Sequence, residues 1–543
     1  MQGLMMETPL TLTSIFEHAV RYFGRKEIVT QRPEGPPHRY TYAECGRRVR
    51  RLARALQQAG IGPGDRVATF AWNTYEHLEC YYAIPCLGAV MHTVNIRLHP
   101  DQLAFIINDA EDQVIFCDRS VVAALDQLAG RLPTVRLVVL MGPGSVQTCQ
   151  VAETVDYEAF LASADGEVVW PELDEDSAAA MCYTSGTTGN PKGVVYSHRS
   201  SYLHSLTTAL VAGDGARETD RYLPVVPMFH ANAWGGIYAF MLVGADIVLP
   251  DRFLDPQHLL QFLRSERVTV TAGVPSVWTL LLAEMNRTGE RLPDLHAILC
   301  GGSAAPAALI AGFDQVGLRL YHAWGMTETS PVGTHGSIKS YLRTLPEAEQ
   351  LALRAKQGFP LPGVELRIVD LATGERCPED GTTSGEIQVR GPWICRAYYH
   401  DEQDADHRFT TDGWLRTGDV GTVDAEGYLE IVDRTKDLVK SGGEWISSVQ
   451  LENTIMAHPQ VLEAAVIGVP HPKWSERPVA VVVPRADAGP ALTQAAIQEF
   501  VRDQVASWWV PDAVVFVKEI PKTSVGKFDK KRLRTELPLP VLG

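Results

Sequence analysis

The nine cysteines of the 543-residue chain form no CxxC or CxxH pair. Their odd number and their scatter from Cys45 to Cys395 argue against a disulfide framework or zinc knuckle and predict a reducing compartment. Nor do the first 23 residues read as a secretory leader, since they include Glu7 and place no basic stretch ahead of an apolar core. No apolar run has membrane length, since the best candidate, residues 233–248, is interrupted by Asp246 and falls short of the roughly 20 residues a spanning helix needs. The expectation is a cytoplasmic protein with no transmembrane segment. Positive charge is in deficit, with 49 Lys and Arg against 65 Asp and Glu, a net charge of −16. Duplex affinity comes largely from phosphate neutralisation, so nucleic acid is not an expected partner, and any polyanionic ligand must meet a local basic patch. At 45% hydrophobic and 21% charged, the composition excludes collagen, coiled coil and disorder.

What is present first is an alternation of helical and strand patterns. Residues 42–59 have helical apolar spacing, 66–70 read as a strand after the turn Gly62-Pro63-Gly64-Asp65, and 78–88 return to helix. Short β-branched runs follow at 113–117 and 135–141, and a second set comprises strand 246–249, helix 257–264, strand 268–272, helix 276–284 and strand 297–300. This rhythm predicts an α/β fold with mostly parallel sheets covered by helices. Between 363 and 399 the period changes to two, in 364–369 and 385–390, which predicts a small antiparallel β-barrel or distorted sheet. After the charged Asp433-Arg434-Thr435-Lys436-Asp437, about a hundred residues can hold a core of their own: helix 449–457, strands 464–469 and 478–483, helix 493–505 and strand 513–517. The expected organisation is an N-terminal domain over 1–432, a linker over 433–438, and a small α+β domain over 439–543.

The sharpest chemical signal is Tyr183-Thr184-Ser185-Gly186-Thr187-Thr188-Gly189-Asn190-Pro191-Lys192-Gly193. Its glycines let successive backbone N–H groups face one concavity, its hydroxyls add donors and Lys192 adds charge, so it reads as a phosphate cradle. A Walker A loop would need Lys followed by Ser or Thr, whereas Gly193 follows Lys192. In Gly301-Gly302-Ser303-Ala304, small residues would let a flat ring lie on the backbone, although a plain strand-to-helix turn fits as well. Tyr321-His322-Ala323-Trp324-Gly325-Met326-Thr327-Glu328-Thr329 offers an aromatic for stacking, a hydroxyl, and a carboxylate able to hold Mg²⁺ beside phosphates. Asp419, in Thr417-Gly418-Asp419, suits a ribose diol or a simple turn. Residues 521–534 carry six basic residues against Asp529, the pattern of a solvated helix end, but Gly526 before Lys527 frees the backbone to present one long cation.

Occurring together in this order, these segments resemble the adenylate-forming superfamily of acyl-CoA synthetases, luciferases and peptide-synthetase adenylation domains, over nearly the whole chain. Val226-Pro227-Met228-Phe229-His230-Ala231-Asn232-Ala233-Trp234 and Lys440-Ser441-Gly442-Gly443-Glu444-Trp445-Ile446-Ser447 are most similar to bacterial medium- and long-chain fatty acyl-CoA synthetases. Trp324 departs from the Tyr many members carry, which keeps stacking but removes a phenol hydrogen bond.

The resemblance implies ATP-dependent conversion of a fatty acid to acyl-AMP and pyrophosphate, then transfer to coenzyme A, with ATP, CoA and Mg²⁺ required. It assigns Lys527, Glu328, Thr184 and His230 to catalysis, with Thr184 and Glu328 also at the metal. ATP or AMP would be bound by Thr184 to Gly189, Lys192, Gly302, Ser303, Ala304, Trp324 to Thr327, Asp419 and Arg434. Lys440, Ser441, Gly442, Gly443 and Glu444 would meet CoA, while His230, Asn232, Trp234 and Trp445 would line the acyl site, Trp445 as a gate. Asp433 would be the hinge about which a mobile C-terminal domain turns between steps. A homodimer is suggested by analogy. An aryl-CoA ligase for cinnamate- or benzoate-like acids would share every nucleotide motif and is the alternative.

Overall fold

A computed structural model describes residues 1, 3–184, 190–401, 407–441, 444–486, 488–523 and 528–537, with the side chain of Glu444 excepted. Two large sheets form the N-terminal part. In the seven-stranded sheet, Arg66–Phe70, Val90–Thr93, Val114–Asp118, Leu137–Met141, Glu153–Asp156 and Ala178–Tyr183 run parallel, and Gly193–Ser197 closes one edge antiparallel to Ala178–Tyr183. In the nine-stranded sheet the parallel centre contains Asp246–Leu249, Arg221–Pro224, Val270–Gly273, Ala297–Cys300 and Leu320–Gly325, and Val332–Gly336 and Phe359–Pro360 add antiparallel strands beyond them. Strands such as Val114–Asp118 and Val270–Gly273 are buried at every position, as expected for parallel sheets covered on both faces.

Helix ends follow their caps. Tyr42–Gln58 starts at a capping box between Thr41 and Glu44, and Tyr75–Cys86 begins three residues before the expected helix because the Thr74 side chain accepts from His77 N–H. The period-two region is an open four-stranded sheet, Glu365–Val369, Gly385–Arg390, Leu415–Val423 and Leu429–Arg434, not a closed barrel. Its last strand bonds onward to the Gln357–Gly358 segment leading into Phe359–Pro360, so its edge is satisfied by the neighbouring sheet.

The C-terminal part packs Ser448–Met456, Gln494–Arg502 and Lys530–Glu536 around the hairpin Val461–His471 and Ser475–Pro484, with Ala513–Phe516 parallel to the second strand. The expected polar linker at 433–438 opens with a buried residue: Asp433 is the penultimate residue of strand Leu429–Arg434 and is 1% exposed. Its carboxylate accepts the Ser448 N–H at 2.5 Å, at the start of helix Ser448–Met456, and burial holds that carboxyl above the usual range. Lys530, bonded to Glu452 at 2.7 Å and to the Ser448 hydroxyl at 2.6 Å, adds charge to the same junction.

Candidate active site

The phosphate loop springs from a β-hairpin. Thr184 N–H donates to Lys192 C=O at 2.9 Å, and Lys192 N–H donates back to the Thr184 hydroxyl at 3.1 Å, so the two ends of the loop are clamped. Ser185, Gly186, Thr187, Thr188 and Gly189 lie outside the described residues. Lys192 Nζ sits 2.7 Å from Asp401 and 4.8 Å from the centre of the Tyr398 ring. A phosphate that uses this cation must compete with Asp401.

Glu328 stands on the short turn Thr327–Thr329 that follows strand Leu320–Gly325, and is buried. Its Oε1 accepts from the Tyr398 hydroxyl at 2.7 Å, and its carbonyl accepts from Cys395 N–H at 2.9 Å. Burial, with Glu328 next in weight, pushes the Tyr398 phenol well up, so it remains a donor. The Tyr196 hydroxyl donates to Thr327 C=O at 2.8 Å, and Tyr399 N–H to Gly193 C=O at 2.8 Å. Segment 393–401 thereby ties the base of the phosphate loop to Glu328. Gly325 has no substitute here, since a Cβ would fall 1.6 Å from the Pro331 carbonyl oxygen.

Three residues from distant motifs meet beside this turn. The Trp324 indole N–H donates to Asp419 Oδ2 at 2.8 Å, while Arg434 Nε lies 3.2 Å from Asp419 Oδ1. Both oxygens keep lone pairs for a diol, because an ionised carboxylate has about four acceptor sites. Gly302, Ser303 and Ala304 follow strand Ala297–Cys300, next to Leu320–Gly325, and the Ser303 carbonyl lies 3.4 Å from His322 Nε2.

A small pocket of about 50 Å³ lies on one face of the nine-stranded sheet under helices His198–Val211 and Gly236–Leu242. Trp234 forms part of its wall and packs over Gly301. Ala231, Asn232, Ala233 and Trp234 all have left-handed φ, from 43° to 58°, which is costly for side-chain-bearing residues. Asn232 points away from the pocket wall: its Oδ1 lies 3.3 Å from both the Thr93 hydroxyl and the Cys182 thiol, on two strands of the other sheet. It anchors the turn that presents Trp234. His230 precedes that turn and is half-buried, outside the pocket lining.

Trp445 is 45% exposed in the C-terminal part, with Lys440 Nζ 5.5 Å from its ring centre, and it is not brought to the pocket. Ser441 is buried and accepts from Arg477, and Glu444 pairs with it across a hairpin. Gly442, Gly443 and Lys527 lie outside the described residues. Tyr398, Asp401 and the pocket residues Thr208, Tyr222, Phe240 and His335 were not singled out from sequence. The Tyr398-Tyr399-His400 cluster was the available signal; the pocket residues carry none that distinguishes them from core.

Among the described residues no three His, Cys, Asp or Glu side chains converge as a metal site. One carboxylate and one hydroxyl, Glu328 and Thr184, nevertheless suit Mg²⁺, which takes few protein ligands and completes its shell with phosphates and water.

A clamped loop rich in glycine and hydroxyls, a carboxylate tied to it, an indole–aspartate–arginine group and an apolar pocket on the same strand, Leu320–Gly325, are features suited to a nucleotide-dependent enzyme with a second, largely apolar substrate. The chain belongs to the AMP-binding enzyme family: that family's profile matches residues 16–399, and the profile of the AMP-binding enzyme C-terminal domain matches 450–527. Among its relatives are a long-chain-fatty-acid–CoA ligase from Thermus thermophilus, 48% identical over 98% of this chain and 96% of its own, and a medium-chain-fatty-acid–CoA ligase from Ectopseudomonas oleovorans, 44% identical over 98% and 97%. The crystal structure of the anthranilate CoA ligase AuaEII with anthranoyl-AMP shares the fold, at a TM-score of 0.87 and 24% identity over 97% of this chain and 98% of that one.

Proposed function

We propose that the protein is an AMP-forming ligase that activates a fatty acid as its acyl adenylate and transfers it to coenzyme A. One observation carries the reading: strand Leu320–Gly325 lines the apolar pocket with Tyr321 and Ala323 and leads directly into Trp324 and Glu328 of the nucleotide site. An acid whose tail fills the pocket has its carboxylate delivered to the phosphates.

In the first step a carboxylate oxygen bonds to the α-phosphorus of ATP and the bond to pyrophosphate breaks. Negative charge shifts onto phosphate oxygens, where the loop N–H groups, Lys192 released from Asp401, and Lys527 offset it in a site shielded from water. Thr184 and Glu328 would hold Mg²⁺, which supplies charge neutralisation on the phosphates. Tyr398 orients the Glu328 carboxylate. Trp324 fixes Asp419 for the ribose, with Arg434 alongside. In the second step the CoA sulfur bonds to the acyl carbon and AMP leaves.

The two steps are assigned to one site visited by two faces of a C-terminal domain that turns at Asp433, bringing either Lys527 or the Lys440–Glu444 segment inward. The hydrogen bonds of Asp433 and Lys530 to helix Ser448–Met456 support a junction that moves as a unit. No helix of the described residues is long and apolar enough to cross a membrane, and a cytoplasmic homodimer is the proposed form. The test is AMP release from ATP with CoA across fatty acids of graded length, benzoate and cinnamate. Turnover with alkyl acids is expected; turnover confined to aryl acids would assign the pocket to a ring.

A further inference from the structure

The wall of the pocket is mostly apolar but includes a few side chains with polar atoms. Along strand Leu320–Gly325, Tyr321, Ala323 and Gly325 share one face, so Tyr321 lies roughly 13 Å inward from Gly325 at about 3.3 Å per residue. The wall also includes Val211, Phe240, Leu299, opposite Tyr321, and Val332, opposite Gly325. Among its side chains, Thr208, Tyr222, Tyr321 and His335 carry polar atoms. Tyr321 and His335 are stacked at 5.9 Å and 13°, and the Tyr321 hydroxyl donates to Asp214 at 3.1 Å. Tyr222 lies flat on Phe240, with ring centres 4.0 Å apart and planes 3° from parallel. Its hydroxyl fits only because residue 236 is glycine: a Cβ there would lie 2.2 Å away.

Two hydroxyls stand in this wall. Tyr222 is 1% exposed, and burial raises its phenol. Thr208 is 7% exposed and its Oγ1 has no hydrogen-bond partner. A threonine on a helix has two accessible χ1 rotamers, so the Thr208 methyl and hydroxyl can exchange places at the wall. A buried donor left unmatched is costly, and a saturated alkyl tail offers neither hydroxyl a partner. An oxygen on the tail would accept from Tyr222, and a hydroxyl there could donate to the imidazole of His335, kept neutral because burial lowers it to about 4.

We propose that Tyr222, Thr208 and His335 form a polar patch in the wall of the acyl pocket that selects carboxylic acids carrying a hydroxyl or keto oxygen near the end of the tail over plain alkyl acids of the same length. The inference rests on reading this pocket as the acyl site. It places the enzyme downstream of chemistry that oxygenates an acyl tail. Sites that hydrogen-bond a substrate hydroxyl discriminate strongly against analogues lacking it, whereas a purely apolar pocket does not.

The experiment measures kcat/KM, with ATP and CoA saturating, for plain acids from butyrate to dodecanoate and for their ω-hydroxy and ω-1 keto counterparts. At one chain length or more an oxygenated acid is expected to exceed the plain acid. Tyr222→Phe, which keeps the stacking on Phe240, should lower that ratio about tenfold, the size expected when one partner of a buried hydrogen bond is removed. Thr208→Val should lower it in the same direction and serves if Tyr222→Phe is poorly folded. Plain acids favoured at every length, or a ratio unmoved by both substitutions, would overturn the proposal while leaving the ligase reading intact. No AMP release with any acid would overturn both.

Discussion

Tyr398 and Glu328, 70 residues apart in the chain, are joined by a 2.7 Å hydrogen bond whose donor ring also carries Lys192 on its face. The relationship links the carboxylate assigned to Mg²⁺ with the cation assigned to phosphate. Tyr398→Phe removes the hydroxyl and keeps the ring. It should raise the Mg²⁺ concentration needed for half-maximal activity and slow pyrophosphate exchange about tenfold, with little change in KM for the acid. An unaltered Mg²⁺ titration would leave Tyr398 as packing only.

The Trp324–Asp419 contact leads to a different loss. Trp324→Phe preserves an aromatic face but abolishes the 2.8 Å donation that fixes Asp419. KM for ATP should rise several-fold while KM for CoA stays near its starting value, since about 1 kcal/mol of orientation is lost at the nucleoside alone. Equal changes for both substrates would contradict this division of labour.

Asn232 holds a turn of left-handed residues that cost on the order of 1–3 kcal/mol each. Asn232→Ala removes the acceptor for Thr93 and Cys182, and the turn should relax toward ordinary backbone. The expected outcome is a raised KM for the fatty acid and an altered tryptophan emission from Trp234, with ATP affinity retained. Weakening of both substrates in proportion would show that the turn serves general stability instead.

Acidification should destabilise the fold. Burial lowers His77, His198 and His335 to about 4 and His204 to about 3, whereas in the unfolded chain a histidine titrates near 6.5. Between those values the unfolded state binds more protons, so stability rises with pH there and is lost as pH falls from 6.5 toward 4. Burial also lowers His38 and His322, while Glu79 and Asp251, both raised to about 7, work oppositely by taking protons in the folded state, and Glu76, Asp112, Asp433 and Glu452 are raised in the same direction; between pH 7 and pH 5 the six histidines, whose unfolded-chain titration falls inside that window, set the balance. The urea midpoint should therefore fall between pH 7 and pH 5; a constant or rising midpoint would contradict the balance.

Much of the fold was legible because buried parallel strands are short β-branched runs set off by turns. Arg66–Phe70, Asp246–Leu249 and Ala297–Cys300 coincide with their expected limits residue for residue. Trp324, Asp419 and Arg434 were each recognisable, and their mutual contact was not, since nothing local encodes a bond across 95 residues. The open form of the four-stranded sheet depended on Gly358, which belongs to another sheet's approach. Trp445 read as a gate because a large aromatic near solvent needs an explanation; in the structure Lys440 lies over it and Trp234 walls the pocket. Asp433 read as the hinge of a polar linker, and its burial at the start of helix Ser448–Met456 is a tertiary effect invisible to composition.

The central claim is that the fatty acid is activated on the α-phosphate before CoA takes part. The direct measurement is exchange of labelled pyrophosphate into ATP with CoA omitted. Exchange that requires both Mg²⁺ and a fatty acid, and that collapses in Lys527→Ala by on the order of a hundredfold while supplied acyl adenylate is still converted to thioester, is the predicted result. Absence of fatty-acid-dependent exchange, or release of ADP and phosphate in place of AMP and pyrophosphate, would contradict it.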